Sequence, residues 1–281
     1  MTGHPARWLA RRAARPAPGL TRVRTPRPLI GTRLASGRGA TEQPNAAGDH
    51  DAPLTPTVWL LVALTGVAAG LFGDLLMLVL HAVEHVAFGY SHGSFQAGVE
   101  HASAQRRLLA LAAAGVFAGL AWYWLRRAMP GQRSEVDDEV WTGTANIAFP
   151  RSFASSVFSV VVVGAGASLG REAAPKLLGA ASGSLLALWR GLSVAQRRLL
   201  VACGGGAGLA AVYNVPLGGA LITAELLYGS LSLPVILPAL ACSWIATAVS
   251  WVYLPIGPTY PDVPSYPTHL SHVVFAIVAG P

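Results

Sequence analysis

Two carboxylates stand in apolar, glycine-rich sequence. Glu172 lies in a run from Gly164 through Gly170-Arg171-Glu172-Ala173-Ala174-Pro175, and Glu225 lies in a second run, from Gly204 through Tyr213-Asn214-Val215-Pro216-Leu217-Gly218-Gly219 to Leu227. An ionisable group at membrane depth costs roughly 2.5–3.5 kcal/mol on insertion scales, so its presence there marks a functional position. Gly and Pro breaks let helices end inside a bilayer where the freed backbone faces protein or a water-filled path. A helix that starts at such a break presents unpaired N–H groups and about half a positive charge, which makes an anion site.

Two further patterns could carry chemistry. Gly166-Ala167-Ser168-Leu169-Gly170 fits Gly-x-Ser-x-Gly, the nucleophile elbow of hydrolases, and makes an intramembrane serine hydrolase the enzymatic alternative. That elbow needs a strand before the serine and later acid and histidine partners, and the histidines downstream are His269 and His272. His81-Ala82-Val83-Glu84-His85 fits an inverted zinc signature whose three side chains share one helical face. It stands where a helix leaves an apolar run for a polar loop with His92 and His101, and it reads as a polar helix end rather than a metal site.

Residues 164–227 carry a family resemblance. Gly170-Arg171-Glu172-Ala173-Ala174-Pro175 resembles the Gly-Arg/Lys-Glu-Gly-Pro pattern of the CLC chloride channels and proton-coupled chloride antiporters. Tyr213-Asn214-Val215-Pro216-Leu217-Gly218-Gly219, followed by Glu225, resembles their Phe-Asn-x-Pro-Leu-x-Gly and membrane glutamate. The departure is local, with Ala173 and Ala174 replacing Gly-Pro and proline one place later. The resemblance implies passage of chloride or a similar small anion, in a homodimer with one pore per subunit and without cofactor or metal. It makes Glu172 a gate that occupies an anion position, with backbone N–H groups from Arg171 to Ala174 as the donors; a plain helix-capping glutamate is the alternative. It places Ser134 at the position of the family's anion-site serine, although the glycine and proline around that serine are not reproduced, and an acidic loop is the other reading there. Finally, the antiporters carry two adjacent glutamates in the later motif, the second relaying protons. Glu225 aligns with the first and Leu226 with the second, which favours passive conduction over strict antiport.

The elements that must position these residues follow from composition. With 53% hydrophobic and 12% charged residues in 281, the chain reads as an all-α, polytopic membrane protein, multi-pass in the cell membrane. Its 31 glycines and 20 prolines suit closely packed, broken helices, with Gly66, Gly70 and Gly73 as one packing face. Apolar runs predict helices over 57–88, 107–127, 153–163, 172–189, 199–212, 216–228 and 238–253, with Arg197 and Arg198 marking a loop. Glu135, Asp137, Asp138 and Glu139 follow a break at Pro130-Gly131. The last apolar run begins at His272 and supplies about nine residues, where a span needs about 20. The CLC resemblance implies a subunit of two inverted halves, so with this short last run the expectation is the first half only, a truncated form that does not conduct alone, with a transmembrane region over 56–281.

The net charge of +7 sits largely in residues 1–55, where nine arginines precede the first acid, Glu42. Pro, Ala, Gly and Thr fill the rest, so this segment reads as a disordered basic tail that helps hold the N-terminus inside. An organelle transit peptide or a misassigned start are the alternatives, and aromatic interleaving for nucleic acid is missing apart from Trp8. Cys203 and Cys242 stand in apolar runs, which argues against a disulfide framework.

Overall fold

The computed structural model describes residues 53–90, 95–130, 136–141, 144–257 and 269–279. The predicted tail, apart from its last three residues, lies outside them, as does Ser134. Among the described residues every regular element is helical. Helix α1 (Pro56–Phe88) starts at Thr55, whose hydroxyl accepts from the Val58 N–H at 3.4 Å, with proline in the first turn. It stops at Gly89, whose φ of +69° lets its N–H return to the His85 carbonyl at 2.8 Å. Along α1, a Cβ on Gly66 or Gly70 would come within 2.7 Å of the Cys242 carbonyl oxygen or 2.6 Å of that of Ala246. These glycines therefore set how closely α1 meets α9 (Leu233–Ser250), as the small-residue face predicts.

Helix α2 (Phe95–His101) is a short turn after α1, and α3 (Ala104–Ala128) begins at a Ser103 cap. Most of α3 is uncovered, with Leu108, Leu109, Val116 and Leu120 exposed, so its apolar surface suits lipid. Together α1, α3 and α9 are long and apolar enough to cross a membrane. Helix α4 (Val136–Trp141) occupies the acidic stretch, and α5 (Phe149–Gly164) starts four residues earlier than its apolar run, on a proline in the first turn.

Helices α6 (Ala173–Trp189) and α7 (Val194–Tyr213) form the centre. Gly179 faces the Gly204 carbonyl and Gly183 that of Leu200, while Gly208 faces the Pro175 carbonyl, leaving no room for a Cβ at any of the three. From Leu199 to Val212 every residue of α7 is buried. The loop expected at Arg197 and Arg198 is corrected here, because both belong to α7. The cause is a capping box, in which Ser193 receives the Gln196 N–H and Gln196 receives that of Ser193, each at 3.3 Å, so the helix begins five residues before its apolar run.

Helix α8 (Pro216–Ile222) widens into a π turn, Thr223–Leu227, and the Thr223 hydroxyl bonds the Gly219 carbonyl at 2.9 Å. Pro238 lies inside α9 rather than at its start, since Pro234 already occupies the first turn and Ser232 precedes the helix. Helix α10 (Leu270–Ala279) ends the described chain. The apolar core surrounds α7, and a second cluster of Leu76, Met77, Leu80, Val160 and Leu178 joins α1, α5 and α6.

Candidate functional site

The start of α6 is built by a turn rather than a cap. Gly170 adopts φ +68°, a left-handed conformation that reverses the chain after α5. Glu172 then takes the N-cap position, but its backbone is already helical, at φ −75° and ψ −38°. A capping side chain needs the extended backbone region to reach the N–H groups of the first turn. Glu172 accordingly makes no side-chain cap bond, so neither the capping alternative nor a carboxylate seated on its own helix start describes this geometry.

The carboxylate instead folds back towards Gly170, where Oε2 occupies the space that a Cβ would need. Its Oε1 accepts a hydrogen bond from the Tyr213 hydroxyl at 3.0 Å. The Arg171 guanidinium lies 5.1 Å from the centre of the same tyrosine ring, in cation–π range. Glu172 and Ala173 are exposed while Ala174 and Pro175 are buried. Ala174 is anchored through its carbonyl, which accepts from the Ser156 hydroxyl of α5 at 3.1 Å.

Tyr213 is the last residue of α7, and the chain leaves it through Asn214 at φ +55°. The Asn214 amide nitrogen donates to the Gly257 carbonyl at 2.8 Å, and its Oδ1 accepts from the Trp251 indole at 3.0 Å. The C-terminal ends of α1 and α9 reach the same region, where His81 Nδ1 meets the Tyr253 hydroxyl at 3.2 Å. The charge of Arg171 is felt at both His81 and Glu84. Glu84 accepts from the Tyr90 hydroxyl at 3.4 Å, and His85 Nδ1 pairs with the Tyr90 carbonyl at 2.7 Å. Burial, reinforced by the Glu84 charge, pushes the Tyr90 hydroxyl up to about 12. Within the His-x-x-Glu-His pattern His81 thus turns to Tyr253 while Glu84 and His85 both turn to Tyr90, and among the described residues no group of three or more His, Cys, Asp or Glu could hold a metal ion.

Glu225 and Leu226 stand apart from this cluster, on the π turn, and both are exposed. Thr223 of that turn bonds the Ala202 carbonyl, 11 residues before Tyr213 in α7, which is about 16 Å along the helix. Beside the π turn, Trp141 of α4 donates to the Leu226 carbonyl at 3.3 Å, and Lys176 of α6 pairs with Asp137 at 3.2 Å. Ser168 follows α5, a helix, where a nucleophile elbow requires a strand, and His269 and His272 lie side by side on the exposed end of α10. The geometry gives the hydrolase alternative no support.

Residues 114–281, more than half the chain, match the voltage gated chloride channel family. The chain belongs to that family. It is similar to the voltage-gated ClC-type chloride channel ClcB of Yersinia pseudotuberculosis, 32% identical over 183 residues that make up 61% of this chain and 44% of the relative. The ClcB proteins of Citrobacter koseri, 30% identical over 66% of this chain and 45% of the relative, and Shigella flexneri, 33% identical over 56% and 38%, are similar in the same way. The chain spans less than half the length of each of these CLC relatives. A crystal structure of a slow cyanobacterial Cl−/H+ antiporter shares the fold, with a TM-score of 0.63 at 20% identity, over 81% of this chain and 54% of that one. The protein is a multi-pass integral membrane protein of the CLC family, with the all-α architecture expected from its sequence.

Arg171, Glu172, Ala173 and Ala174 come together at the head of α6, and Glu225 and Leu226 lie on the distant π turn. Tyr213 is the contact that sequence reasoning passed over. The signal was present, because a tyrosine stands where the family motif has phenylalanine, and its additional hydroxyl is the atom that meets Glu172.

Proposed function

We propose that this protein passes chloride or a similar small anion across the cell membrane, as a homodimer, and that Glu172 gates the path. The observation that carries the reading is the head of α6. The carboxylate there makes no bond to its own helix start, so the Ala173 and Ala174 N–H groups at the head of α6 are not capped by it and can receive an anion or the carboxylate itself. Arg171 adds a fixed positive charge beside it, and Ala174, anchored by Ser156, holds the first turn in place. A carboxylate that competes with chloride for the same donors blocks the path when charged and seated, and leaves it when protonated or displaced. Leu226, apolar and exposed on the π turn, cannot hold a proton, and it supports passive conduction over proton-coupled exchange.

The test is Glu172→Ala and Glu172→Gln in the full-length protein, reconstituted in liposomes. Chloride efflux should be faster in both and should no longer vary with pH. Tyr213 on α7 donates to Glu172 and the permanently charged Arg171 stands beside it, while His81 and Glu84, at the end of α1 and within reach of the Arg171 charge, are the other titratable groups of this region. Efflux that keeps its full pH dependence in both variants would remove Glu172 from the gate.

A further inference from the structure

We infer that Tyr213 is a latch that parks the Glu172 carboxylate away from the anion donors of α6. The inference rests on the gating role proposed for Glu172. Three observations carry it. The Tyr213 hydroxyl donates to Glu172 Oε1 at 3.0 Å, across 41 residues of sequence. The carboxylate is turned back over Gly170, whose missing Cβ and left-handed φ of +68° make that position available. The Arg171 guanidinium, 5.1 Å from the ring centre, braces the tyrosine from the residue next to the gate.

The latch stands on a rigid base. Tyr213 ends a helix that is buried from Leu199 to Val212, and Asn214 ties that end to Trp251 and to the Gly257 carbonyl. Gly208, five residues earlier, presses its backbone on the Pro175 carbonyl of α6, and this contact fixes the spacing between the tyrosine and the head of α6. Phenylalanine would fill the same ring volume without offering a hydrogen bond, so the hydroxyl is the component that acts on the gate. Chloride and the Glu172 carboxylate compete for the same donors. A bond that holds the carboxylate elsewhere therefore strengthens chloride binding without touching chloride. Tyr213 is a positioning residue in this scheme and acts through Glu172.

The experiment is a double-mutant cycle in the full-length protein: Tyr213→Phe, Glu172→Ala and the two combined, with chloride flux measured against chloride concentration at each of several pH values. A hydrogen bond to a charged group at a partly exposed site corresponds to about a 3- to 10-fold change in an equilibrium constant. Tyr213→Phe should raise the apparent chloride KM by about that factor with little change in maximal rate. In the Glu172→Ala background the same substitution should leave KM unchanged. An equal effect in both backgrounds would make Tyr213 a packing residue and overturn the latch. A Tyr213→Phe protein that matches wild type, beside a Glu172→Ala protein that has lost its pH dependence, would overturn the latch and leave the gate standing. If Glu172→Ala itself changes neither KM nor pH dependence, gate and latch fall together.

Discussion

Replacing Gly208 by alanine tests whether α7 positions the head of α6 by direct backbone contact. A Cβ at this position would overlap the Pro175 carbonyl oxygen and stand 2.8 Å from its carbon. Carbon atoms meet comfortably at about 3.5–4.0 Å, so the two helices would have to separate by about 1 Å. Both sides of the contact are backbone in buried segments, and no side chain can rotate out of the way. Overpacking of this kind costs about 1–3 kcal/mol, against which alanine recovers up to about 1 kcal/mol of helix propensity. At about 2–4 °C per kcal/mol for a chain of this size, the melting temperature should fall by several degrees. Gly115→Ala on α3 is the matched control, because a Cβ there meets nothing within 4 Å and only the propensity gain remains. The assay is thermal unfolding of the purified full-length protein in detergent, followed by tryptophan fluorescence. A Gly208→Ala protein that melts no lower than Gly115→Ala would refute the claim that this contact sets the helix spacing.

In the full-length protein, an imposed chloride gradient should drive no uphill proton movement, read with a pH dye inside liposomes, because Leu226 offers no protonatable group on the π turn. Proton pumping that persists with Leu226 in place and vanishes in Glu172→Ala would replace the channel reading with an exchanger while keeping the gate. The Lys176–Asp137 pair, with side chains 27% and 50% exposed, should be worth less than about 1 kcal/mol. Lys176→Met and Asp137→Asn should each lower the melting temperature by no more than about 2–4 °C; a larger loss would mean that the pair is shielded from solvent by parts of the protein beyond this region.

Much of the helical order was legible from apolar runs alone, because a membrane span leaves a long and unambiguous signature. The run at 57–88 matches α1 to within one residue, and on its glycine face Gly66 and Gly70 pack against α9 while Gly73 faces Ala211 of α7. The start of α7 was misread for a physical reason. Two adjacent arginines look like a loop, yet at a helix end near a membrane surface long cationic side chains reach back to water and carbonyls, as Arg197 does to the Thr144 carbonyl at 3.3 Å. The Ser193–Gln196 capping box was a readable counter-signal. The orientation of Glu172 was not legible. It depends on a backbone torsion at one residue and on a partner 41 positions away, and neither leaves a local pattern. The π turn was equally silent, since one wide turn has no composition of its own.

The burial of α7 on every side has a consequence for how the protein is made. Residues 199–212 have no surface left over for lipid, and the glycines that permit this packing also dilute the hydrophobicity of the segment. Helices α1, α3 and α9 are long and apolar enough to cross a bilayer one at a time, but Gln196, Arg197 and Arg198 fall inside α7 and leave it only the run 199–212, where a span needs about 20 residues. Its insertion must therefore be a cooperative event, in which α6 and α1 act as its solvent before the lipid does. The central helix is in this sense less autonomous during synthesis than α1, α3 or α9. Substitutions that loosen its glycine contacts should first appear as failures of biogenesis, with chain retained or degraded, before they appear as altered transport.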